Sequence, residues 1–342
     1  MRRLRLVLRM LLVPAVGFSG ACVGWAAEAS GPATTLLLFE PALWVAGAWL
    51  AYAAWLRGDQ GLGVGVLCAG LAAAIGVRIP LAPAETPGLD PAPFLEQTRT
   101  CARNLALPAE RVRLVQWTVA RDMPGIALVI TDEQADVVVV RGPLSVETIE
   151  AVRAGVGGEA MEMAGANGPI HVFTRGAFSL CGDSDRWVDL PAPGSDVGLV
   201  FVAIAEGTAF PLLLAGLPAA GSVPAWSSAQ RAARDGLHTA VDGLESSLLV
   251  VALDAPLPLA GPRLTRTLRD VDLSVVARPL NWPARSPLPL HAFDQVWAAE
   301  GWLGAPAVLL RAAGTERHGV RVDLVPRWPV VLPAAGDDKS VR

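Results

Sequence analysis

Three long apolar runs occupy the first eighty residues of the chain. They cover residues 10–27, 35–56 and 61–79, and connectors of only a few residues separate them. Each run has roughly 18–22 residues, which is close to the ~20 that a helix needs to cross the hydrocarbon core of a bilayer. The pattern therefore predicts a membrane segment, residues 1–80, with about three transmembrane helices.

The basic residues around these runs predict how the segment is oriented. Four arginines and no acidic residue lie within residues 1–9, the first connector has no lysine or arginine, and the second contains Arg57. Because basic residues stay on the cytoplasmic side, three crossings place the C-terminal part outside the cytoplasm, as a multi-pass cell-membrane protein. A second interpretation remains open, since Ala27-Glu28-Ala29 resembles a signal cleavage site; cleavage would leave two crossings and the same location.

The remaining chain divides into a linker, one domain and a tail. Residues 81–93 are rich in proline and predict a semi-rigid spacer. Residues 94–325 are long enough for one domain with a substantial core. Residues 326–342 repeat proline and small residues before ending in charges, which predicts a disordered tail.

Short apolar runs alternate with amphipathic stretches along the domain. Continuous runs such as ADVVVV (135–140) and LLVVAL (248–253) are typical of strands buried on both faces. The other predicted strands are Arg113–Val119, Ile170–Thr174, Val197–Ala205, Phe210–Leu214, Phe293–Ala298 and Val320–Val325. The predicted helices are Phe94–Leu107, Ser145–Ala154 with Ser145 as its N-cap, Ser227–Leu244 and Leu264–Leu268. This mixture predicts an α/β domain whose sheets lie between helices.

The composition is more apolar than that of a typical soluble domain and is not basic. Hydrophobic residues make up 52% and charged residues 18%, whereas soluble domains have roughly 25% charged residues. The net charge of −4 gives no sign of a nucleic-acid-binding surface. Cys101 and Cys181 are the only cysteines outside the membrane segment, and whether they pair is left open. There is no Cys/His spacing typical of a metal site.

The order of these elements resembles the endonuclease/exonuclease/phosphatase family, which has the deoxyribonuclease I-like fold. The matching segments, in order, are RLVQWTV (113–119), ADVVVVRG (135–142), VFTR (172–175), LLLAGL (212–217), LLVVALDAP (248–256), NWP (281–283), FDQV (293–296) and GTERHGVRVDL (314–324). The resemblance spans about Arg111 to Val325. It implies a four-layer α/β/β/α sandwich and, for active members, Mg²⁺-dependent hydrolysis of phosphate esters.

Carried over one position at a time, the resemblance implies a site that has lost most of the family's catalytic residues. The first-strand Asn of the family corresponds to Thr118, and its metal-binding Glu corresponds to Gly142, beside Arg141. Asp254 matches the Asp of the Asp-x-Asn motif, but the Asn partner is missing. Asp294 matches the Asp of the family's I-D-H-V strand.

The last motif permits two alignments. Without a gap, Glu316 stands at the family's Asp and Arg317 at its His, whereas a shift of one residue places His318 at the His. An arginine is always protonated and cannot bind Mg²⁺.

Two main hypotheses follow. The first is a membrane-tethered, catalytically degenerate module without a cofactor that binds an unknown protein or an anionic ligand, or acts as a scaffold. Its binding residues would be Thr118, Arg141 and Arg317. The second is a Mg²⁺-dependent phosphodiesterase or phosphatase with a remodelled site. Its catalytic residues would be Asp254, Asp294 and His318, and its metal ligands Glu316 and Asp254.

Simpler roles remain open for the same residues. Each acid would then be a turn or surface residue, and each arginine would pair with a nearby acid such as Asp254 or Glu316. An unrelated α/β enzyme is a third alternative, although no P-loop, nucleophile elbow or dinucleotide fingerprint occurs.

Overall fold

The computed structural model describes only part of the chain. It covers residues 56, 104–105, 108, 110–165, 168–181, 187–189, 196–205, 208–217, 236–241, 244, 247–255, 268–279, 281, 284 and 292–327. Within these residues, no helix has the length and apolar content that a membrane crossing needs. The predicted spans 10–27, 35–56 and 61–79 lie outside the described residues, apart from Leu56, which is helical.

Within the described residues, the larger sheet has eight strands. They are β1 (Asn104–Leu105), β6 (Ser179–Cys181), β7 (Trp187–Asp189), β8 (Asp196–Ala205), β9 (Thr208–Gly216), β10 (Val250–Asp254), β11 (Ser274–Ala277) and β12 (Asp294–Ala298). Six of them follow the order β11-β12-β10-β9-β8-β6. Strand β1 pairs with β9, and β7 pairs with β8. The central pair β9 and β10 is parallel, whereas β10 and β12 are antiparallel and bring Asp254 opposite Asp294.

The smaller sheet has seven strands in the part of the chain that is described. They are β2 (Val112–Thr118), β3 (Val137–Arg141), β4 (Ala160–Gly165), β5 (Gly168–Thr174), β13 (Trp302–Gly304), β14 (Val308–Leu310) and β15 (Gly319–Pro326). Six of them follow the order β13-β15-β2-β3-β5-β4. Strand β14 also pairs with β15. Strands β2 and β3 are parallel, so their last residues, Thr118 and Arg141, are direct neighbours.

Two helices of this half of the domain are described in full. They are α1 (Gly125–Glu133) and α2 (Val146–Val156). The side chain of Ser145 accepts a hydrogen bond from the Thr148 amide at 3.2 Å, so the predicted N-cap of α2 is confirmed. The helix ends at Gly157, whose φ of +80° suits the left-handed conformation of a C-cap.

Three separate cores show that the sheets pack face to face with helices on their outer faces. The first lies between the sheets and joins side chains such as Val112, Val139 and Leu214. The second packs residues 236–241, which are helical, on the outer face of the larger sheet. The third packs α1 and α2 on the outer face of the smaller sheet. The expected α/β/β/α layering is therefore confirmed for the described residues.

Three sequence-based expectations differ from the structure. The helix predicted at Phe94–Leu107 is wrong at Asn104–Leu105, which forms a parallel strand with β9 because the pairing overrides the local helical spacing. Pro326, assigned to the tail, pairs with Trp302 as the last residue of β15. The short strands β4, β6, β7, β11, β13 and β14 were not predicted.

Candidate functional site

One end of the sandwich gathers most of the polar residues that the sequence singled out. Thr118 and Arg141 end neighbouring strands of the smaller sheet, and Asp254 and Asp294 face each other at the same end of the larger sheet. Arg317 reaches the same place from the loop before β15, because its guanidinium binds Asp254. We call these five residues the mouth of the sandwich.

Asp294 joins the two sheets at the mouth. Its Oδ1 accepts a hydrogen bond from the Thr118 hydroxyl at 2.5 Å, and its Oδ2 accepts one from the Asn281 side chain at 2.5 Å. The residue is completely buried. Burial raises the pKa of Asp294 to about 6, because it outweighs the opposing effects of the Arg317 charge and the two hydrogen bonds. Asp294 is therefore held as a structural acceptor with two donors already in place.

Arg317 occupies the space in front of the two carboxylates. Its Nη1 donates to Asp254 Oδ1 at 2.6 Å, and its guanidinium carbon lies 4.9 Å from the centre of the Phe293 ring. Burial acts to lower the pKa of Arg317, but the carboxylates of Asp254 and Asp294 outweigh it, so the pKa rises above its ordinary value. The arginine therefore stays charged and supplies the positive charge that these carboxylates need.

The loop that carries Arg317 is fixed from two sides. The Asn281 side chain donates to the His318 carbonyl at 3.1 Å, and the Asn281 carbonyl accepts from the His318 amide at 2.9 Å. On the other side, Trp117 Nε1 donates to the Arg317 carbonyl at 3.0 Å. A Cβ added at Gly319 would lie 2.6 Å from the Trp117 ring, so loop and ring are in close contact. These contacts hold Arg317 in the mouth.

The position expected to carry the metal-binding Glu has no room for a side chain. Gly142 has a φ of +118°, and a Cβ added there would lie 1.9 Å from the Val119 carbonyl oxygen. The preceding residue, Arg141, is buried and shares its face of β3 with Val137 and Val139, which line the core between the sheets. A basic side chain therefore stands beside Thr118, at the strand end where the family resemblance implies an acid.

Glu316 and His318 do not join Asp254 and Asp294 in a metal site. Glu316 is exposed, and its backbone carbonyl accepts from the Ala284 amide at 2.8 Å. The His318 side chain is buried near Arg311, which together with burial lowers its pKa. Among the described residues, no group of three or more His, Cys, Asp or Glu side chains is placed to hold a metal ion. The metal pair of Glu316 and Asp254 and the catalytic role of His318 therefore stay predictions.

The donor set of the mouth does not fit Mg²⁺. Mg²⁺ needs hard oxygen ligands and keeps several waters, so it requires open space beside the carboxylates. Here the guanidinium of Arg317 binds Asp254, and the oxygens of Asp294 already accept from Thr118 and Asn281. Of the two alignments of the last motif, the ungapped one agrees with the structure, because Arg317 and not His318 faces Asp254.

Several residues that contact the mouth or lie below it were not singled out from the sequence. Asn281 appeared only within the NWP match, and Phe293 only within FDQV. Trp117 and Gln116 were part of a strand, yet Gln116 Nε2 donates to the Leu253 carbonyl at 2.9 Å and links the two sheets below the mouth. A buried amide inside an apolar strand was the one signal in the sequence that favoured such a contact.

Cys181 of β6 forms a disulfide bond. All other cysteines of the chain lie outside the described residues. Its partner lies outside the described residues, so the pairing of Cys101 with Cys181 that the sequence left open is not decided by this bond.

Known proteins resemble this chain in structure and not in sequence. No family model and no curated protein matches the sequence. An endonuclease/exonuclease/phosphatase family protein from Bacteroides thetaiotaomicron has 10% identity and a TM-score of 0.48, over 63% of this chain and 98% of that one. A mannosyl-6-phosphatase from the same organism has 10% identity and a TM-score of 0.48, over 63% and 99%. A family protein from Beutenbergia cavernae has 18% identity and a TM-score of 0.47, over 65% and 73%.

These structures belong to the same family that the sequence motifs resemble. At identities of 10–18% and TM-scores of 0.47 and 0.48, these similarities carry no fold, substrate or activity to this chain. The four-layer architecture itself rests on the strand pairings and the three cores described above.

Proposed function

We propose that this protein is a membrane-tethered, extracytoplasmic binding or scaffolding module that does not hydrolyse phosphate esters. Its ligand would be a protein or an anionic molecule. The domain keeps the two-sheet scaffold, while the residues at the mouth stabilise the fold and do not assemble a catalytic centre.

The observation that carries this proposal is the ion pair between Arg317 and Asp254. The pair is largely buried, with side-chain exposures of 19% and 8%. Removing a buried charge from its partner costs about 3–5 kcal/mol, so a divalent cation has to displace a stabilising contact before it can bind. The two acids of the mouth, Asp254 and Asp294, thus already bind partners within the chain.

The geometry at the end of β3 supports the same proposal. Active phosphoesterases of this type need a carboxylate that holds the metal ion at this strand end, as the family resemblance implies. Gly142 cannot carry one without a backbone change, and Arg141 brings the opposite charge. Both features act against a metal ion.

The proposed location rests on the apolar runs and on the disulfide. The run lengths and the basic N-terminus favour three crossings with the domain outside the cytoplasm. Disulfide bonds persist mainly in oxidising compartments outside the cytosol, so the disulfide of Cys181 favours the same side.

The hydrolysis test uses the full-length protein in detergent. We would supply Mg²⁺ or Mn²⁺ with generic phosphodiester and phosphomonoester substrates, and use Asp254→Ala as the matched variant. We expect no turnover above that of the variant, and no binding of Mn²⁺ by paramagnetic resonance at concentrations up to the millimolar range. Metal-dependent turnover that Asp254→Ala abolishes would overturn the proposal and favour a remodelled phosphoesterase.

The location is tested by attaching alkaline phosphatase or green fluorescent protein to the C-terminus in a bacterial host. Alkaline phosphatase is active outside the cytoplasm, and green fluorescent protein fluoresces inside it. Active phosphatase and a dark fluorescent fusion are expected, and the reverse pattern would refute the predicted orientation.

A further inference from the structure

The two ends of the sandwich differ in how they connect to the chain. Strand β2 begins at Val112 and ends at Thr118 in the mouth, and the antiparallel β15 returns to pair Leu324 with Val112. Strand β1 pairs with Thr208 at the start of β9, whose other end, Gly216, pairs with Asp254. The chain therefore enters and leaves the domain at the end opposite the mouth, and we call that end the base.

The distance between the base and the mouth is large compared with the size of a lipid headgroup. Seven residues of β2 span the sandwich from base to mouth. At about 3.3 Å per residue, the two ends lie roughly 20 Å apart. A label at one end can therefore lie at the membrane surface while a label at the other end stays in water.

Exposed aliphatic side chains are found at the base. Leu303 of β13 and Val325 of β15 are direct cross-strand partners beside the chain ends, and their exposures are 46% and 40%. Val275 of β11, 40% exposed, lies toward the same end, since it pairs with Trp297 near the close of β12. Leu303 and Val325 therefore form a small exposed aliphatic pair at the base.

The base also carries arginines that reach into solvent. Arg111 is 62% exposed, and it pairs with Asp323 at 3.4 Å; Arg175 is 50% exposed, and it lies 3.8 Å from Asp136. Both residues line an open cleft of about 780 Å³ at this end. Arginines of this kind extend an apolar stem and present the guanidinium to the phosphates of a headgroup layer.

We propose that the base is a membrane-contact surface and that the mouth faces away from the bilayer, toward water-soluble partners. This rests on the proposed tether. A tether attached at the base brings Leu303 and Val325 close to the lipid surface, where aliphatic side chains and arginine stems are stabilised together. Residues 81–93 are rich in proline, and the short, semi-rigid spacer that this composition predicts would favour contact between the base and the surface.

The experiment compares two labelled positions in the full-length protein. Leu303→Cys marks the base and Glu316→Cys marks the rim of the mouth; both side chains are exposed, so neither change disturbs the core. Each variant receives a thiol-reactive fluorophore, and the signal of the parent protein, labelled in parallel through its own cysteines, is subtracted. The proteins are reconstituted in phosphatidylcholine vesicles, with and without phosphatidylglycerol, that contain a lipid with a nitroxide on its headgroup.

We expect the label at position 303 to lose most of its fluorescence, while the label at position 316 keeps nearly all of it. Equal quenching at both positions, or stronger quenching at position 316, would overturn the orientation. If Leu303→Cys does not fold, Val325→Cys gives the same readout. Flotation of the vesicles separates the two proposals: protein that does not float with lipid refutes the tether, whereas floating protein with equal quenching refutes only the membrane-contact surface.

Discussion

Replacing Arg317 by methionine tests whether the mouth is a structural ion-pair network. The substitution keeps most of the aliphatic stem and removes the charge that faces Asp254 at 2.6 Å. Breaking a buried pair by removing one partner costs about 3–5 kcal/mol, and the 19% exposure of the Arg317 side chain places the expectation near 3 kcal/mol. For a domain of this size, that loss lowers Tm by roughly 6–12 °C.

Arg111→Met is the matched control. Arg111 also pairs with an aspartate, Asp323, but at 3.4 Å and with 62% of its side chain exposed. Exposed ion pairs contribute about 0–1 kcal/mol to stability, so the free energy of unfolding of this variant should lie within roughly 1 kcal/mol of the parent's. The free energy of unfolding of both variants would be measured in the full-length protein by titration with urea, with tryptophan fluorescence as the monitored signal.

The pH dependence gives a second readout. The pKa of Asp294 is about 6 in the folded chain against an ordinary value of 3.8, so the folded state binds more protons between these values. The contribution of Asp294 to stability is therefore greatest at low pH and falls as the pH rises through about 6. Without Arg317 the pKa of Asp294 should rise further, so the deficit of Arg317→Met should be larger at about pH 7 than at about pH 5.

Two outcomes would refute this reasoning. Equal losses for Arg317→Met and Arg111→Met would show that the buried pair has no special weight. A deficit of the same size at both pH values would show that Arg317 does not act through Asp294.

Three further predictions follow from the same structure. Gly142→Ala should lower the free energy of unfolding, measured with urea, by roughly 3 kcal/mol or more, because φ at Gly142 is positive and the added Cβ would meet the Val119 carbonyl. Gly125→Ala is its control and should be nearly neutral, since a Cβ there meets nothing within 4 Å. Asp323→Asn should cost about 1.5–3 kcal/mol at neutral pH, because Arg113 donates to Asp323 at 2.8 Å. That hydrogen bond lowers the pKa of Asp323, so the parent's advantage should shrink as the pH falls below 3.8, and an advantage that persists in acid would contradict the assignment. Finally, EDTA or added Mg²⁺ should leave Tm unchanged in differential scanning calorimetry, and a rise with Mg²⁺ would reveal a bound metal.

The strands that form the centre of each sheet could be predicted from sequence. Runs such as residues 137–140 and 250–253 are continuous and apolar because helices cover one face of each sheet and the partner sheet covers the other. The short strands β6, β7, β13 and β14 were missed, since strands of three residues give no readable alternation. At Asn104–Leu105, pairing with β9 decided the conformation against the local pattern.

The candidate site could be predicted only in part. Asp254, Asp294 and Arg317 were singled out because they stand at positions of the family motifs that the sequence resembles. The simpler role left open for Arg317, pairing with an acid such as Asp254, is confirmed, although 63 residues separate the two and the fold brings them together. Asn281 was missed because only the fold brings it into contact with Asp294 and with the loop before β15.

The backbone at Gly142 decides which position at this strand end can be mutated to an acid if hydrolytic chemistry is to be engineered. An acid introduced at that position requires the chain to be rerouted away from the Val119 carbonyl, which is several simultaneous changes. Arg141 is different, because its backbone belongs to a regular strand and its side chain already shares the inner face with Thr118. A designer who wants a carboxylate at this strand end therefore starts from Arg141→Glu, where the backbone already carries a side chain.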